Sequence, residues 1–140
     1  MPNPDPSDWE DALIADLRAH GRPSRGPLKG HPLLLMTSTG ARSGKPRRAI
    51  LTYSRDGDDY IVAGTASGSD VEPAWVNNIR VNPTVEIELE NRTFQARASV
   101  VDEGLRQVLW DRHVEVLPWF GEYPSKTERV IPVIRLTPMS

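Results

Sequence analysis

The fold is decided by residues 84–101, which read Thr-Val-Glu-Ile-Glu-Leu-Glu-Asn-Arg-Thr-Phe-Gln-Ala-Arg-Ala-Ser-Val-Val. Apolar and polar residues alternate along both halves of this stretch. Because successive side chains of a strand point to opposite faces, the alternation predicts strands over 84–90 and 92–101. Glu90-Asn91-Arg92 is their turn, so the stretch is predicted to be a β-hairpin. The apolar residues of its first half share one face: Val85, Ile87 and Leu89.

Further short strand patterns lie on both sides of this hairpin. The apolar run at 32–38 predicts a buried strand, and 47–55 and 59–64 predict two more around the turn signal Asp56-Gly57-Asp58. Residues 130–136 predict a last strand. About six short, mostly antiparallel strands with few helices indicate an α+β fold built on a barrel.

Pro132 and three helix patterns add detail to this prediction. Because proline has no backbone N–H, Pro132 predicts that the last strand lies at an edge or contains a bulge. Helices are predicted from the capping-box residues Ser7 and Glu10 to Gly21, from Pro73 to Val81, and from the N-cap Asp102 to about Leu117. The apolar side of the last helix is predicted to consist of Leu105, Val108, Leu109 and Val116.

The composition limits the possible classes of protein. A chain of 140 residues suits a single core, here predicted as a barrel over 31–140 preceded by a helix and basic linker over 1–30. With no cysteine there is no disulfide, zinc–thiolate site or cysteine nucleophile. The three histidines have no ligand spacing, so no metal site is predicted: they are His20, His31 and His113.

No apolar run approaches the roughly 20 residues of a membrane span, which predicts a cytoplasmic protein. A basic linker after an amphipathic helix would allow weak contact with a membrane surface, but the acidic character of the helix weakens that alternative. The sequence leaves open whether the chain is a monomer or a homodimer.

The positive charges are concentrated in one block. Between Leu17 and Arg55 there are nine cations and no acidic residue, whereas the rest of the chain has eight positive and nineteen negative charges. Four of the nine fall within residues 42–48, a Gly-containing turn after an apolar strand, and this pattern is suited to binding an anion such as a phosphate or polycarboxylate. An exposed hairpin with solvated charges is the alternative. The cations are Arg18, Arg22, Arg25, Lys29, Arg42, Lys45, Arg47, Arg48 and Arg55.

Three other segments could contribute to a site. Small residues at 63–69 would let a flat ligand approach the backbone, and the Trp75 and Asn78 side of the helix at 73–83 could pack against a ligand and donate an amide. The aromatic loop at 117–123 would cap a pocket or cover the barrel core. No Ser/His/Asp series or carboxylate pair is present, which favours chemistry supplied by a cofactor. The net charge of −2 argues against a nucleic-acid partner.

Together these segments resemble the deazaflavin-dependent nitroreductase family, whose members use coenzyme F420. The resemblance runs from about Pro32 to Pro138 and implies a split β-barrel related to flavin-mononucleotide (FMN)-binding oxidoreductases. It rests on three motifs: Thr-Gly-Ala-Arg-Ser-Gly-Lys-Pro-Arg at 39–47, Pro-Ala-Trp-Val-Asn-Asn-Ile-Arg-Val-Asn-Pro at 73–83, and Arg-Val-Ile-Pro-Val at 129–133.

The resemblance also implies a cofactor site. Within the turn formed by Arg42, Ser43, Gly44, Lys45, Pro46, Arg47 and Arg48, it assigns Arg42, Ser43, Arg47 and Arg48 to the phosphate and the acidic tail of the cofactor. The residues that would line the deazaflavin ring are Ile50, Ala63, Thr65, Ala74, Trp75 and Asn78. Ala41 and Ala66 depart from the family, whose members often have basic residues there.

The expected function is that of an F420H2-dependent reductase, with a quinone, enone or nitroaromatic as hydride acceptor. Trp119, Phe120 and Tyr123 are predicted to contact the acceptor, and the hydroxyl of Tyr123 is the candidate proton donor. Two alternatives stay open: an FMN-dependent oxidoreductase on the same fold, and a non-enzymatic carrier of a cofactor or lipid-like ligand.

Overall fold

The computed structural model describes residues 6–24, 30–65, 72–90, 92–127 and 129–139. Its elements, in chain order, are α1 (Pro6–His20), β1 (Leu33–Thr39), β2 (Pro46–Thr52), β3 (Ser54–Asp56), β4 (Asp59–Ala63), α2 (Ala74–Val81), β5 (Thr84–Leu89), β6 (Arg92–Val100), α3 (Glu103–Val116), a 3₁₀ helix (Pro118–Lys126) and β7 (Val133–Pro138).

The strands form one curled sheet in the order β2-β1-β5-β6-β7-β4-β3, and every neighbouring pair is antiparallel. Its two edge strands, β2 and β3, are separated in the chain by Tyr53 alone, so one bent segment joins the two edges of the sheet. The amide of Tyr53 bonds the carbonyl of Pro32 at 3.2 Å, one register position beyond the last pair of β1 and β2. After Tyr53 the chain pairs with β4 instead, so the single strand predicted at 47–55 is divided, and the sheet has seven strands where about six were expected.

The hairpin at 84–101 forms as its alternation predicts. β5 and β6 pair from Thr84↔Arg97 to Leu89↔Arg92, and Val85, Ile87 and Leu89 are buried on the inner face of the sheet. The chain reverses at Glu90, whose φ is +47°. The second predicted turn is also present, with Gly57 at a φ of +61° between β3 and β4.

Two hydrophobic cores lie on opposite sides of this sheet. The first fills the barrel and takes side chains from the inner faces of the strands and from α2. The second lies outside the barrel, where α3 and the 3₁₀ helix cover the outer face of β4 and β7. Its buried members are Ile61, Ala63, Leu109, Trp110, Leu117, Phe120, Ile131 and Val133.

The predicted apolar side of α3 is wrong for three of its four residues. Leu105, Val108 and Val116 are about half exposed, whereas Leu109 is buried together with Trp110 and His113. The helix is rotated so that Leu109, Trp110 and His113 face the sheet in place of the predicted residues. The N-cap prediction is confirmed, because Asp102 accepts a hydrogen bond from the Leu105 amide at 3.1 Å.

Two further predictions are corrected. The last strand is central, since β7 pairs with β6 on one side and β4 on the other. Pro132 immediately precedes this strand, so its missing N–H falls outside the ladder and no edge position is needed. Ser7 is not an N-cap, because α1 already begins at Pro6 and Ser7 lies within the helix.

Helix α1 packs on the sheet beside β1 and β5. Ile14 is buried, and Gly21 ends the helix at a φ of +79° with its amide bonded to Leu17. Arg18 holds Glu88 through two hydrogen bonds of 2.7 and 3.1 Å, which lower the pKa of that carboxyl group. Although α1 packs on the barrel in this way, the division of the chain at residue 30 stays a prediction. Within the described ranges, no helix has the length and apolar character needed to cross a membrane.

Candidate functional site

The turn between β1 and β2 is a compact backbone loop. The Gly40 amide bonds the Lys45 carbonyl at 2.8 Å, and the Gly44 amide bonds the Gly40 carbonyl at 3.0 Å. The Lys45 amide bonds Ser43 Oγ at 3.2 Å. A Cβ at Gly40 would lie 2.6 Å from Ser43 Oγ and 3.2 Å from the Lys45 carbonyl, so it would displace the Ser43 hydroxyl from its bond with the Lys45 amide. Gly44 has a φ of +69°, so both glycines are needed for the shape of the turn.

Helix α2 supports this turn through Asn78. The Ala41 amide donates to Asn78 Oδ1 at 2.9 Å, and Asn78 Nδ2 lies 3.5 Å from Ser38 Oγ. Ser38 Oγ in turn lies 3.4 Å from the carbonyl of Arg47, at the far side of the turn. The Asn78 side chain is only 8% exposed, so it joins the helix to the turn from within the protein.

Helix α2 is itself held close to the end of β4. Gly64 lies directly after that strand, and a Cβ there would meet Val76 at 2.8 Å and Pro132 at 2.9 Å. Glycine therefore permits the approach of α2 to the sheet. The next residue, Thr65, is buried, and its carbonyl accepts a hydrogen bond of 2.9 Å from Arg129.

The turn and the helix enclose an open cleft of about 590 Å³. This volume is in the range of small-molecule and cofactor sites. One wall is polar and cationic, and the other combines small apolar residues with a half-buried tryptophan. The lining residues are Gly40, Ala41, Arg42, Ser43, Arg47, Arg48, Ala49, Ala74, Trp75, Asn77 and Asn78.

The charge of the cleft is largely uncompensated. In the part of the chain that the structure describes, no carboxylate lies within 4.0 Å of Arg42 or Arg47, and both side chains are exposed. Arg48 alone has an acidic partner there, Asp11 of α1, at 3.4 Å. The cleft can therefore offer two guanidinium groups, the Ser43 hydroxyl and turn amides to an anionic ligand.

The structure brings together most of the predicted cofactor residues. Seven of them line the cleft: Arg42, Ser43, Arg47, Arg48, Ala74, Trp75 and Asn78. Gly44, Lys45 and Pro46 belong to the same turn and are exposed beside it. The small-residue run after Thr65, including Ala66, lies outside the described residues, as do Arg25 and Lys29 of the cationic block.

Three predicted residues lie elsewhere. Ile50 pairs with Leu35, and strand alternation puts its side chain on the opposite face of β2 from Ala49, which lines the cleft. Ala63 is buried in the second core, and Thr65 is not among the lining residues.

The aromatic loop forms the 3₁₀ helix and belongs to the second core. Phe120 is 6% exposed, with its ring 4.6 Å from His113, 5.6 Å from Trp119 and 5.2 Å from Tyr123. Trp119 also meets His31 edge-on at 4.8 Å. None of the three predicted acceptor-contacting residues lines the cleft, and the loop covers the outside of the sheet instead of the barrel core.

The prediction did not assign Gly40, Ala41, Ala49 or Asn77 to the cleft. Gly40, Ala41 and Asn77 occur in the quoted motifs, and Ala49 is one register position from the predicted Ile50. Across the described residues there is no group of three or more His, Asp or Glu side chains that could hold a metal ion.

The curled antiparallel sheet belongs to the split β-barrel class of folds, and a cationic cleft lies at one end of it. Within this class, residues 14–138 match the family model of the F420H(2)-dependent quinone reductases, and the chain belongs to that family. The family predicted from the motifs is thus confirmed, and coenzyme F420 is the cofactor in the family's description.

Individual relatives agree with this membership. An F420H(2)-dependent quinone reductase of Mycobacterium tuberculosis is 35% identical over 112 residues, covering 76% of this chain and 73% of the relative. A solved F420-H2 dependent reductase, FDR-A, is 32% identical with a TM-score of 0.69, over 75% of this chain and 93% of that one. A solved structure described as a domain-swapped dimer is 28% identical with a TM-score of 0.71, over 94% of this chain and 99% of that one.

Proposed function

We propose that this chain is an F420H2-dependent quinone reductase. Its family is defined by that activity, and the relatives with the same description span most of its length. The cofactor, when bound, supplies the hydride that reduces the acceptor, and the protein supplies binding, orientation and shielding from water.

The observation that carries the proposal is the cleft between the β1–β2 turn and α2. It places cations without carboxylate partners among the described residues, Arg42 and Arg47, beside a half-buried aromatic side chain, Trp75. A cofactor with an anionic tail and a flat ring requires both features in one site. A simple solvated hairpin would account for the arginines but not for the adjoining apolar wall.

The residues divide into two roles in this proposal. Arg42, Arg47 and Ser43 bind the phosphate and acidic tail, with Lys45 adding charge at the rim. Ala49 and Ala74 leave room for a flat ring, and Trp75 packs against it. Asn78 acts mainly through the turn, since its carbonyl oxygen is already bonded to the Ala41 amide. An acceptor would enter from the open side of the cleft.

The acceptor-contacting roles of Trp119 and Tyr123, and the proton-donor role of Tyr123, stay predictions. Their packing around Phe120 supports a structural role for the 3₁₀ helix instead. Ser43 is a hydroxyl-bearing residue that lines the cleft, and it is a better-placed candidate for bonding an oxygen of the acceptor or cofactor.

Equilibrium titration with F420 and with FMN tests the cofactor assignment. Arg47→Ala should weaken F420 binding about tenfold or more, the loss expected for one charged hydrogen bond. Arg97→Ala on β6, an exposed arginine that does not line the cleft, is the matched control and should bind as wild type. Affinity should also fall as salt is added. Equal affinities for all three proteins, or tighter binding of FMN than of F420, would contradict the assignment.

Stopped-flow oxidation of bound F420H2 by menadione tests the reaction. A quinone-dependent return of the oxidised deazaflavin absorbance is expected, and binding without turnover would support the carrier alternative. The cytoplasmic location stays a prediction. The domain-swapped relative makes a homodimer worth testing by light scattering, since the chain could be a monomer or a dimer.

A further inference from the structure

A second groove lies at the opposite end of the barrel from the cleft. The pairing of β1 with β2 runs from Thr39↔Pro46, at the cleft, to Leu33↔Thr52 at the other end. Through the antiparallel ladder, that far end also contains the start of β4, the start of β6 and the end of β7. The groove is about 470 Å³ and is lined by Tyr60, Arg92, Thr93, Phe94 and Pro138.

The floor of this far-end groove is aromatic. The Tyr60 ring is 2% exposed and lies 5.8 Å from the Phe94 ring, with the two planes inclined by 31°. Tyr53 meets Tyr60 edge-on at 5.3 Å. Because Tyr53 and Tyr60 are buried, the half-buried Phe94 ring is the part of this floor on which a flat molecule can stack.

Two guanidinium groups contact the aromatic floor, and of these Arg92 lines the groove. Arg92 donates a hydrogen bond of 3.0 Å to the Tyr60 hydroxyl and lies 5.7 Å from the Phe94 ring centre. Arg55 lies 4.1 Å above the Tyr60 ring and bonds the Gly57 carbonyl at 3.3 Å. Among the described residues, neither arginine has a carboxylate within 4.0 Å, although Asp56 and Asp59 close by are paired with Arg135.

We propose that the far-end groove binds a flat aromatic molecule that carries one carboxylate or sulfonate group. The rings would stack on Phe94, which packs over the buried Tyr60, and the anionic group would bind Arg92 in the lining of the groove, with Arg55 adding positive charge from its place over the Tyr60 ring. Five N–H donors on each guanidinium exceed the hydrogen bonds that these side chains make here, so donors remain for an anion. This site is separate from the cofactor cleft and does not depend on the proposed reductase activity.

Isothermal titration of the full chain with 2-naphthoate and with its uncharged analogue 2-naphthalenemethanol tests the proposal. One molecule of naphthoate should bind per chain, at least about tenfold more tightly than the alcohol, because a charged hydrogen bond contributes at that level. Its affinity should be unchanged when F420 saturates the cleft.

Matched variants locate the binding site. Arg92→Gln should weaken naphthoate about tenfold and abolish the preference over the alcohol, and Phe94→Leu should weaken both compounds. Arg97→Gln, five residues along the same strand and outside the groove, should bind naphthoate as wild type. Circular dichroism confirms folding, and Arg55→Gln replaces Arg92→Gln if that variant does not fold.

Several results would overturn the proposal. Equal affinity for the acid and the alcohol would show that the arginines do not bind the anionic group. Competition between naphthoate and F420 would place the compound in the cofactor cleft. Undiminished binding to Arg92→Gln, or no binding at millimolar naphthoate, would exclude the groove as a site for this class of ligand.

Discussion

His113 should make the protein sensitive to acid at a pH where most carboxyl groups are still ionised. Its imidazole is fully buried between α3 and the sheet, with Nδ1 2.7 Å from Ser54 Oγ and the ring 4.6 Å from Phe120. Nε2 has no hydrogen-bond partner among the described residues. Burial therefore lowers the pKa of His113 from 6.5 to about 4.

The sign and size of the effect follow from proton linkage. Between pH 6.5 and 4 the unfolded chain binds a proton at this histidine and the native protein does not, so the free energy of unfolding falls as the pH is lowered. Each pH unit costs up to about 1.4 kcal/mol, which gives about 2 kcal/mol at pH 5 and about 3 kcal/mol at pH 4. Total stabilities of small domains are about 5–15 kcal/mol, so this one group accounts for a measurable share.

Urea unfolding from about pH 7.5 to about pH 4 measures the effect when wild type is compared with His113→Gln. His113→Gln should be less stable than wild type near neutral pH because it loses native packing, but it has no imidazole at this position to titrate. The difference in the free energy of unfolding between the two proteins should therefore shrink by about 2–3 kcal/mol across this range. His20→Gln, at an exposed position on α1, controls for the loss of an imidazole elsewhere. If wild type and His113→Gln lose stability in parallel, His113 is not held neutral in the native protein.

Three further variants test the site and the second core. Gly40→Ala should weaken F420 several-fold in a fluorescence titration without unfolding the protein, because its Cβ would lie 2.6 Å from Ser43 Oγ and must displace that hydroxyl from the turn. Wild-type affinity would show that the position of the Ser43 hydroxyl does not matter for binding. Asp11→Asn should strengthen F420 binding about twofold at low salt by releasing Arg48 from an exposed ion pair of about 0.5 kcal/mol, and weaker binding would contradict this. Phe120→Ala should lower the free energy of unfolding by roughly 3–5 kcal/mol while leaving turnover per folded molecule intact. A normal melting temperature with reduced quinone turnover would instead restore the predicted acceptor role.

The local features of the fold could be predicted because they depend on residues close in sequence. The β5–β6 hairpin follows from alternation, and the cap at Asp102 from side-chain chemistry. The rotation of α3 could not be predicted, because Leu105 and Trp110 are both apolar enough to face a core. Which of them is buried depends on the outer face of β4 and β7, far away in the chain.

The candidate site shows the same limit. The cationic turn was visible as a cluster of charge, and Trp75 as an aromatic residue in a short polar helix. The role of Asn78 in supporting the turn could not be predicted, because its bond to Ala41 spans 37 residues and exists only when α2 packs against β1. Ile50 was predicted from the family resemblance, but Ala49, one residue earlier and on the other face of β2, is the residue that lines the cleft.

The distribution of ion pairs suggests a physical reason why the segment around the turn contains no acidic residue. Outside the cleft, several arginines have close acidic partners: Arg18 with Glu88, Arg80 with Glu72, Arg112 with Asp56, and Arg135 with Asp56 and Asp59.

Exposed pairs of this kind stabilise a fold by less than about 1 kcal/mol each. An acidic residue in the turn would therefore change stability little, and stability does not explain why the turn has none. A carboxylate beside Arg42 or Arg47 would, however, compete with every anionic ligand of the cleft. A segment free of acidic residues from Arg18 to Arg55 avoids that competition within the turn's own sequence. Among the described residues, Asp11 of α1 is the one carboxylate that pairs with an arginine of the cleft, Arg48. The F420 affinity of Asp11→Asn therefore tests directly whether a carboxylate at the cleft competes with the anionic ligand.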